Sequence, residues 1–437
     1  MDLTRKSAVV EHADTHGKAA VPKLLAVSYS YPPKTEPRAI QVSRLLKYLN
    51  AETVLVSEGH SGSAGITEST GLGDMESFLQ ENLRVPLATS FGREILNAVS
   101  RRVYLPVWSR TPDQLGHWKK DVVKTIEHFI RAQDYQPDVL ATFAFPLIDN
   151  IIGLELKGRF HLPWLAHFSD PWVDSPFKTD DRFTRALNAR LEQRVIERAD
   201  RLVFTSGETA DLVMSKYPAA LRSKVRIVPH AYEPALFPRR SNNNNGRLVI
   251  RYMGDLYLSR TPKPLFQALE ILSATEPELV NRFCFEIVGG VHELDLNQMG
   301  LSRLPEGLVL FRSRVGYRES LELMTSAAGL MVIDAPVPKD AKSVFLPSKL
   351  IEYIGAGRPI IGLTPPGTAA DLILKLGGWV ADPGDPQQLA AVVHQFLSFV
   401  WEHRDDLLTG WGRSEVRDEF EARAIAKKFQ QVLLELS

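Results

Sequence analysis

Short, continuously apolar runs alternate with longer amphipathic segments from residue 23 almost to the end of this chain, and the pattern restarts once near the middle. In the first half, Leu24-Leu25-Ala26-Val27, Thr53-Val54-Leu55-Val56, Val139-Leu140-Ala141-Thr142-Phe143, Trp164-Leu165-Ala166-His167-Phe168 and Leu202-Val203-Phe204 read as strands. Helix-period segments stand between them, among them 39–49, 118–133, 148–157 and 182–198. Strands that are apolar throughout, rather than at every second residue, need cover on both faces. A parallel sheet wound with helices on both sides supplies it. The second half repeats the pattern with strands at 247–253, 283–288, 308–311, 329–333, 359–361 and 378–381. Between the halves lies Ser241-Asn242-Asn243-Asn244-Asn245-Gly246, polar, turn-prone and without periodicity,. A chain of 437 residues exceeds one core,. The expected architecture is therefore α/β, two doubly wound Rossmann-like domains facing a cleft between the carboxyl edges of their sheets.

The expected division is a mobile tail over 1–20, a first domain over 21–240, a linker over 241–246, a second domain over 247–412 and a C-terminal helix over 413–437. Three finer expectations accompany it. Asp74 caps a short helix from Met75 to Leu83, ended by Pro86,. Phe91 to Val103 is an amphipathic helix whose Arg93, Arg101 and Arg102 suit either a solvated face or contact with a membrane,. One long amphipathic helix, about Glu415 to Leu436, closes the chain.

Composition narrows the function classes. Lysine plus arginine and aspartate plus glutamate number 52 each, so there is no basic excess for a nucleic-acid backbone,. The single cysteine, Cys284, lies in the apolar run Phe283–Val288 and is expected in the core; no disulfide framework is possible,. No run is long enough to span a bilayer and the first twenty residues carry no apolar leader, so the expected location is the cytoplasm,. Asp149, Asp174, Glu293 and Asp295 offer carboxylates but no metal-binding spacing.

The stretch from Lys342 to Gly362 carries the sharpest local signal. Gly329–Asp334 is a strand ending in an acid, Ser348 stands as the candidate N-cap of a helix, and Gly355 and Gly357 stop it before the strand at Pro359-Ile360-Ile361,. Lys349 and Glu352 then share a face at i,i+3,. Two readings fit. One is an ordinary surface ion pair. The other is a nucleotide clamp at a helix N-terminus following a strand, with lysine on phosphate and glutamate on ribose.

Several segments resemble the family-4 retaining glycosyltransferases, which have the GT-B fold. Tyr252-Met253-Gly254-Asp255-Leu256 with Arg260 resembles their glycine loop, and Phe285–Gly289 the strand that follows. Lys349 through Glu352 to Gly357 and Pro359 resembles their nucleotide-binding helix. In the first half, Trp164–Trp172 and Glu192–Ser206 resemble acceptor-domain segments, so the likeness spans about residues 23–400.

The resemblance implies that Arg260 and Lys349 neutralise the diphosphate of a nucleotide-sugar donor, UDP- or GDP-linked, without a metal or other cofactor. It implies that Gly254 lets the backbone approach the phosphates, Glu352 holds the ribose, Gly316 and Tyr317 lie near the base, and Ser348 and Leu350 complete the donor site. His167 and Asp170 would face sugar and acceptor. The implied reaction moves a sugar to a hydroxyl of a glycan or lipid-linked saccharide with retention, at the inner membrane face. A GT-B nucleotide-sugar epimerase and a non-catalytic two-domain binding protein are the alternatives. The chain departs from the family pattern at Val344, where a glutamate is usual, at Asp255, where a base is usual, at Thr35-Glu36-Pro37 in place of paired glycines, and at His230-Ala231-Tyr232-Glu233.

Overall fold

The computed structural model describes residues 21–59, 75–87, 112–113, 115–175, 180–240, 246–292, 294–338 and 341–437. The tail at 1–20, the segment at 91–103, Asp74, the asparagine run and Glu293 lie outside them.

The first sheet has seven strands in the order β3-β2-β1-β4-β5-β6-β7. They are β1 Lys23–Val27, β2 Glu52–Gly59, β3 Glu81–Pro86, β4 Val139–Phe143, β5 Trp164–Phe168, β6 Arg201–Phe204 and β7 Val225–Ile227. The second has six, β8 Leu248–Met253, β9 Phe283–Val288, β10 Val309–Arg312, β11 Gly329–Ile333, β12 Ile360–Leu363 and β13 Trp379–Ala381, in the order β10-β9-β8-β11-β12-β13. Every neighbouring pair is parallel. The central strands are buried along their whole length, as continuous apolar runs require,. This is the expected pair of Rossmann-like domains.

Helices α1 Pro37–Lys47, α2 Gly116–Ala132, α3 Ile148–Phe160, α4 Arg182–Arg198 and α5 Gly207–Met214 cover the first sheet. Helices α6 Lys263–Thr275, α7 Tyr317–Ser326, α8 Ser348–Ala356, α9 Thr368–Leu376 and α10 Pro386–Glu402 cover the second. In each sheet the chain leaves a central strand for one edge and returns beside it to build the other. The two switch points, between β1 and β4 and between β8 and β11, are where a doubly wound sheet opens a crevice at its carboxyl edge,.

Three local expectations are corrected. Residues 81–86 form an edge strand and not the end of a helix, because Val85 turns into the core and its carbonyl accepts from Trp118 Nε1 at 2.9 Å. The closing amphipathic segment is broken into Ser414–Asp418 and α11, Ala422–Leu434. Tyr232 enters the break, donating to Phe420 O at 3.0 Å and accepting from Ala422 N at 2.9 Å. Beyond it α11 packs Ile425, Phe429 and Leu433 with Leu24, Ala26 and Val139 of the first sheet. Helix α11 therefore packs on the first domain. The third correction concerns α8. Its N-cap is Pro347, and Ser348 is already the first helical residue. It stops at Gly357 (φ +63°), whose N–H donates to Tyr353 O and Ile354 O at 3.1 and 3.2 Å,. Gly355 is inside the helix, where a Cβ would stand 2.5 Å from the Phe237 ring. Cys284 is buried in β9, as expected.

Candidate functional site

Helix α8 is held by its apolar side. Leu350, Ile351, Tyr353 and Ile354 are all buried, and burial of such side chains contributes about 1.5–3 kcal/mol each,. Tyr353 also carries a polar tie, since its hydroxyl accepts from Met253 N at 2.8 Å and donates to Met331 O at 3.2 Å. One side chain thus pins the helix across β8 and β11, the two strands of the switch point. Rigid seating of this kind brings the first turn of α8 to the crevice.

What faces the crevice from that turn is not an ion pair. Lys349 Nζ donates to Tyr252 Oη at 2.6 Å and lies 4.0 Å from the centre of the same ring,. Among the described residues it has no carboxylate within ion-pair distance. Burial, and then the nearby Arg260 guanidinium, hold its ammonium well below the ordinary lysine range,. Gly254 follows β8 at φ +130°, a region that disfavours side chains, and a Cβ there would lie 2.7 Å from Lys349 Nζ,. The next strand ends the same way: a Cβ on Gly289 (φ +148°) would meet Gly254 O at 2.2 Å. The floor of the crevice is therefore bare backbone with a lysine laid over it.

Arg260 reaches the same place from the loop after β8. Its Nη2 donates to Asp334 Oδ1 at 3.3 Å, and Asp334, at the end of β11, also accepts from Ser343 Oγ at 2.8 Å. Glu352, one turn below Lys349, pairs across the domains with Arg44 of α1. Arg44 Nη1 donates to Glu352 Oε1 at 2.7 Å and to Ala231 O at 2.8 Å, and Nη2 also bonds the Tyr317 hydroxyl. Arg44 is 1% exposed, so this is a buried interdomain bridge. The surface i,i+3 pairing of Lys349 with Glu352 does not occur.

A cavity of about 930 Å³ opens here, lined by Gly254, Arg260, Gly316, Tyr317, Ser348, Lys349 and Glu352. It runs on into a second, of about 740 Å³, which shares Arg260, Ser348, Lys349 and His230 and adds Arg38, Phe145 and Asp170 from the first domain. Both volumes suit a ligand of nucleotide or sugar size. Burial raises the carboxyl pKa of Asp170. Two expected residues stand apart from both spaces. Leu350 faces the core and is fully buried. His167 sits behind Arg38, its Nδ1 3.0 Å from Arg38 Nη2, and borders only a small internal gap. A guanidinium has no acceptor, so His167 Nδ1 accepts and the ring proton resides on Nε2. Burial first, and then Arg38 and His230, hold this imidazole well below the ordinary histidine range.

The departures from the family pattern acquire physical form. Val344 uses its main chain: its carbonyl accepts from Ser206 Oγ at 3.0 Å and Thr209 Oγ1 at 2.8 Å, tying α5 to the second domain. Asp255 accepts from Gly290 N at 2.7 Å and from Arg314 Nε at 2.9 Å. The acid thus recruits to the rim the base that its own position lacks. Glu233 is buried against Lys47 at 3.2 Å. Sequence reasoning missed Arg38 and Arg44. Arg38 stands in the apolar stripe of α1, at i with Val42 and Leu45 at i+4 and i+7, which is the signal that could have found it,. Arg44 has no such signal, because its partner is more than 300 residues away in the chain.

No protein-family profile matches this chain. Two curated proteins match part of it, each named D-inositol 3-phosphate glycosyltransferase. That of Streptomyces avermitilis is 27% identical over 224 residues, 47% of this chain and 46% of its own length. That of Stackebrandtia nassauensis is 28% identical over 120 residues, 26% of each. The chain spans less than half the length of the curated relatives it matches. Solved structures match throughout. Sucrose-phosphate synthase from Thermosynechococcus elongatus aligns with a TM-score of 0.65 at 14% identity, covering 95% of this chain and 99% of that one. An E. coli structure described as trehalose-6-phosphate bound with UDP-2-fluoro glucose aligns at 0.60 and 13%, covering 95% and 98%. A protein described as a UDP-N-acetylglucosamine 2-epimerase from Listeria monocytogenes aligns at 0.55 and 11%, covering 95% and 96%. At such identities the likeness is one of fold, and that fold is the two-domain GT-B architecture. No helix among the described residues is long and apolar enough to cross a membrane.

Proposed function

We propose that this protein is a glycosyltransferase that moves a sugar from a nucleoside-diphosphate donor to a hydroxyl acceptor with retention of anomeric configuration. The observation that carries this reading is the bare turn at Gly254 overlaid by Lys349, which has no carboxylate partner among the described residues, with Arg260 beside it at the β8/β11 switch point. Negative charge grows on a departing nucleoside diphosphate as the glycosidic bond breaks. Fixed cations that face the diphosphate stabilise that charge and need no reorganisation at the moment of reaction. In this reading Lys349 and Arg260 supply the positive charge without a metal ion. Ribose hydroxyls donate to Glu352, whose carboxylate Arg44 and Tyr317 already orient. The base lies along Gly316 and Tyr317.

Retention follows a same-face course. The acceptor hydroxyl attacks from the side of the leaving diphosphate, the diphosphate oxygen takes the hydroxyl proton, and the bond to the donor breaks as the new one forms. The acceptor, a glycan or lipid-linked saccharide in this reading, enters by the 740 Å³ arm, past Asp170 and Phe145. The single buried thiol fits work in the cytoplasm,.

Calorimetry with UDP, GDP and ADP tests the donor site. One of them is expected to bind, with Lys349→Ala weakening it most and Glu352→Ala next. Undiminished binding in both variants would falsify the assignment of α8. The epimerase fold match motivates one further assay. Incubation with donor and acceptor is expected to release free nucleoside diphosphate in step with product, whereas an epimerase returns an altered nucleotide sugar.

A further inference from the structure

The acceptor arm holds a buried cation, Arg38, with no carboxylate at ion-pair distance among the described residues. Arg38, at the first turn of α1, is 8% exposed and lines the 740 Å³ cavity. Its Nη2 meets His167 Nδ1, a neutral acceptor, and its Nε is buried without a hydrogen-bond partner. Among the described residues it forms no ion pair. Arg44 on the same helix has a carboxylate, a carbonyl and a hydroxyl. The position of Arg38 adds to the tension, because the start of a helix carries partial positive charge and favours an anion. Helix α1 has no side-chain cap: its N-cap Glu36 turns its carboxylate to Ser30 Oγ at 2.9 Å. Pro37 has no N–H, so Arg38 and Ala39 supply the free amides of the first turn, and Glu36, Pro37 and Arg38 line the same cavity,. Asp170 borders the same cavity without reaching ion-pair distance of Arg38. Burial lowers the Arg38 pKa to about 10, and the nearby carboxyls of Asp149 and Asp170 oppose that shift without cancelling it,.

Building on the glycosyltransferase reading, we propose that Arg38 and the first turn of α1 bind an anionic group, phosphate or carboxylate, carried by the acceptor. The acceptor class is then a phosphorylated or acidic saccharide or polyol. Charge-assisted, bidentate contact with a guanidinium gives that group both affinity and orientation. The anion end fixes the acceptor, and the hydroxyl to be glycosylated points along the cavity toward Lys349 and Arg260.

The test uses calorimetry on the full chain, with and without a saturating nucleoside diphosphate. The probes are hexose 6-phosphates, inositol phosphates and glucuronate, each against its neutral parent. Anionic probes are expected to bind at least tenfold more tightly than their parents. Arg38→Gln is expected to remove that preference, a loss of roughly 10–100-fold, and Arg38→Lys to retain part of it, with nucleotide affinity unchanged in both. The melting temperature of Arg38→Gln is expected to hold or rise, since an uncompensated buried charge is being removed; a drop would identify a structural strut. The proposal is overturned by absence of any preference for anionic probes, by its persistence in Arg38→Gln, or by a loss of nucleotide affinity in that variant, which would give Arg38 to the donor diphosphate. If no nucleotide binds the wild-type chain, the glycosyltransferase reading fails by itself, and the probe preference measured without nucleotide still decides the anion site.

Discussion

Helices α1 and α8 face each other across the cleft, each following a strand at a switch point, yet they bury opposite things. Helix α8 buries hydrocarbon and presents Lys349 and Glu352, both partly buried, to the cleft. Helix α1 buries two arginines along with its apolar residues. The two arginines differ again. Arg44 is neutralised by Glu352 and also bonds Ala231 O and Tyr317, whereas Arg38 bonds one imidazole and forms no ion pair among the described residues. The comparison separates two uses of a buried cation. One closes the protein onto itself, and its removal strands a carboxylate. The other waits for a ligand, and its removal relieves the folded state while disabling binding.

The largest expected effect comes from breaking the closed pair. Arg44→Ala leaves Glu352 facing an unpaired, largely buried position and is expected to cost about 3–5 kcal/mol of stability, read by urea denaturation. The double variant Arg44→Met with Glu352→Met is expected to recover much of that loss. If the single variant is as stable as the wild type, the bridge does not hold the domains.

Lys349→Met inverts the pattern. Its catalytic rate with a donor is expected to fall about 10²–10³-fold, while the melting temperature stays level or rises. A variant that both binds poorly and melts early would place Lys349 with Arg44 and not with Arg38. Next in size is Gly254→Ala, which combines a positive φ with a Cβ at 2.7 Å from Lys349 Nζ. About 1–3 kcal/mol of destabilisation is expected, together with weaker nucleotide binding.

Acid should loosen the acceptor wall before the donor wall. His167 and His230 are buried beside Arg38 and Arg44, and burial holds both imidazoles low, His230 down to about 3. Unfolded, they titrate near 6.5. The unfolded chain therefore binds more protons between those limits. Stability is expected to be level above about pH 6.5 and to fall as pH drops below it, by at most about 1.4 kcal/mol per pH unit for each histidine. Denaturation midpoints at pH 7.5 and 5.5 check this, and His230→Gln is expected to flatten the slope. Arg314→Ala should do least, within about 1 kcal/mol, because its pair with Asp255 is exposed,. A larger loss would mean that the rim pair supports the Gly254 turn.

Much of this was legible in the chain. Unbroken apolar runs such as Val139–Phe143 and Gly329–Ile333 are buried strands, because period and length suffice to mark them,. Boundaries were less secure where a short signal competed with a long-range partner. Residues 81–86 have a turn-rich approach and pair as an edge strand only because β2 lies beside them. The closing helix breaks at 419–421 because Tyr232, remote in the chain, occupies the break. Of the site residues, Gly254, Arg260, Lys349 and Glu352 do meet at one cavity, and Leu350 and His167 do not line it. An i,i+3 spacing tells which side chains share a helix face, not which of them find partners across a cleft.

The sequence by itself determined the two parallel sheets, their switch points and the place of Gly254 and Lys349 at one of them, since periodicity and backbone permissiveness are local properties. The tertiary structure decided the partners. It gave Glu352 to Arg44 and set Arg38 against an imidazole with no ion pair among the described residues, because whether a buried charge is neutralised depends on atoms that the fold brings within about 4 Å, where attraction grows strong as water is excluded,.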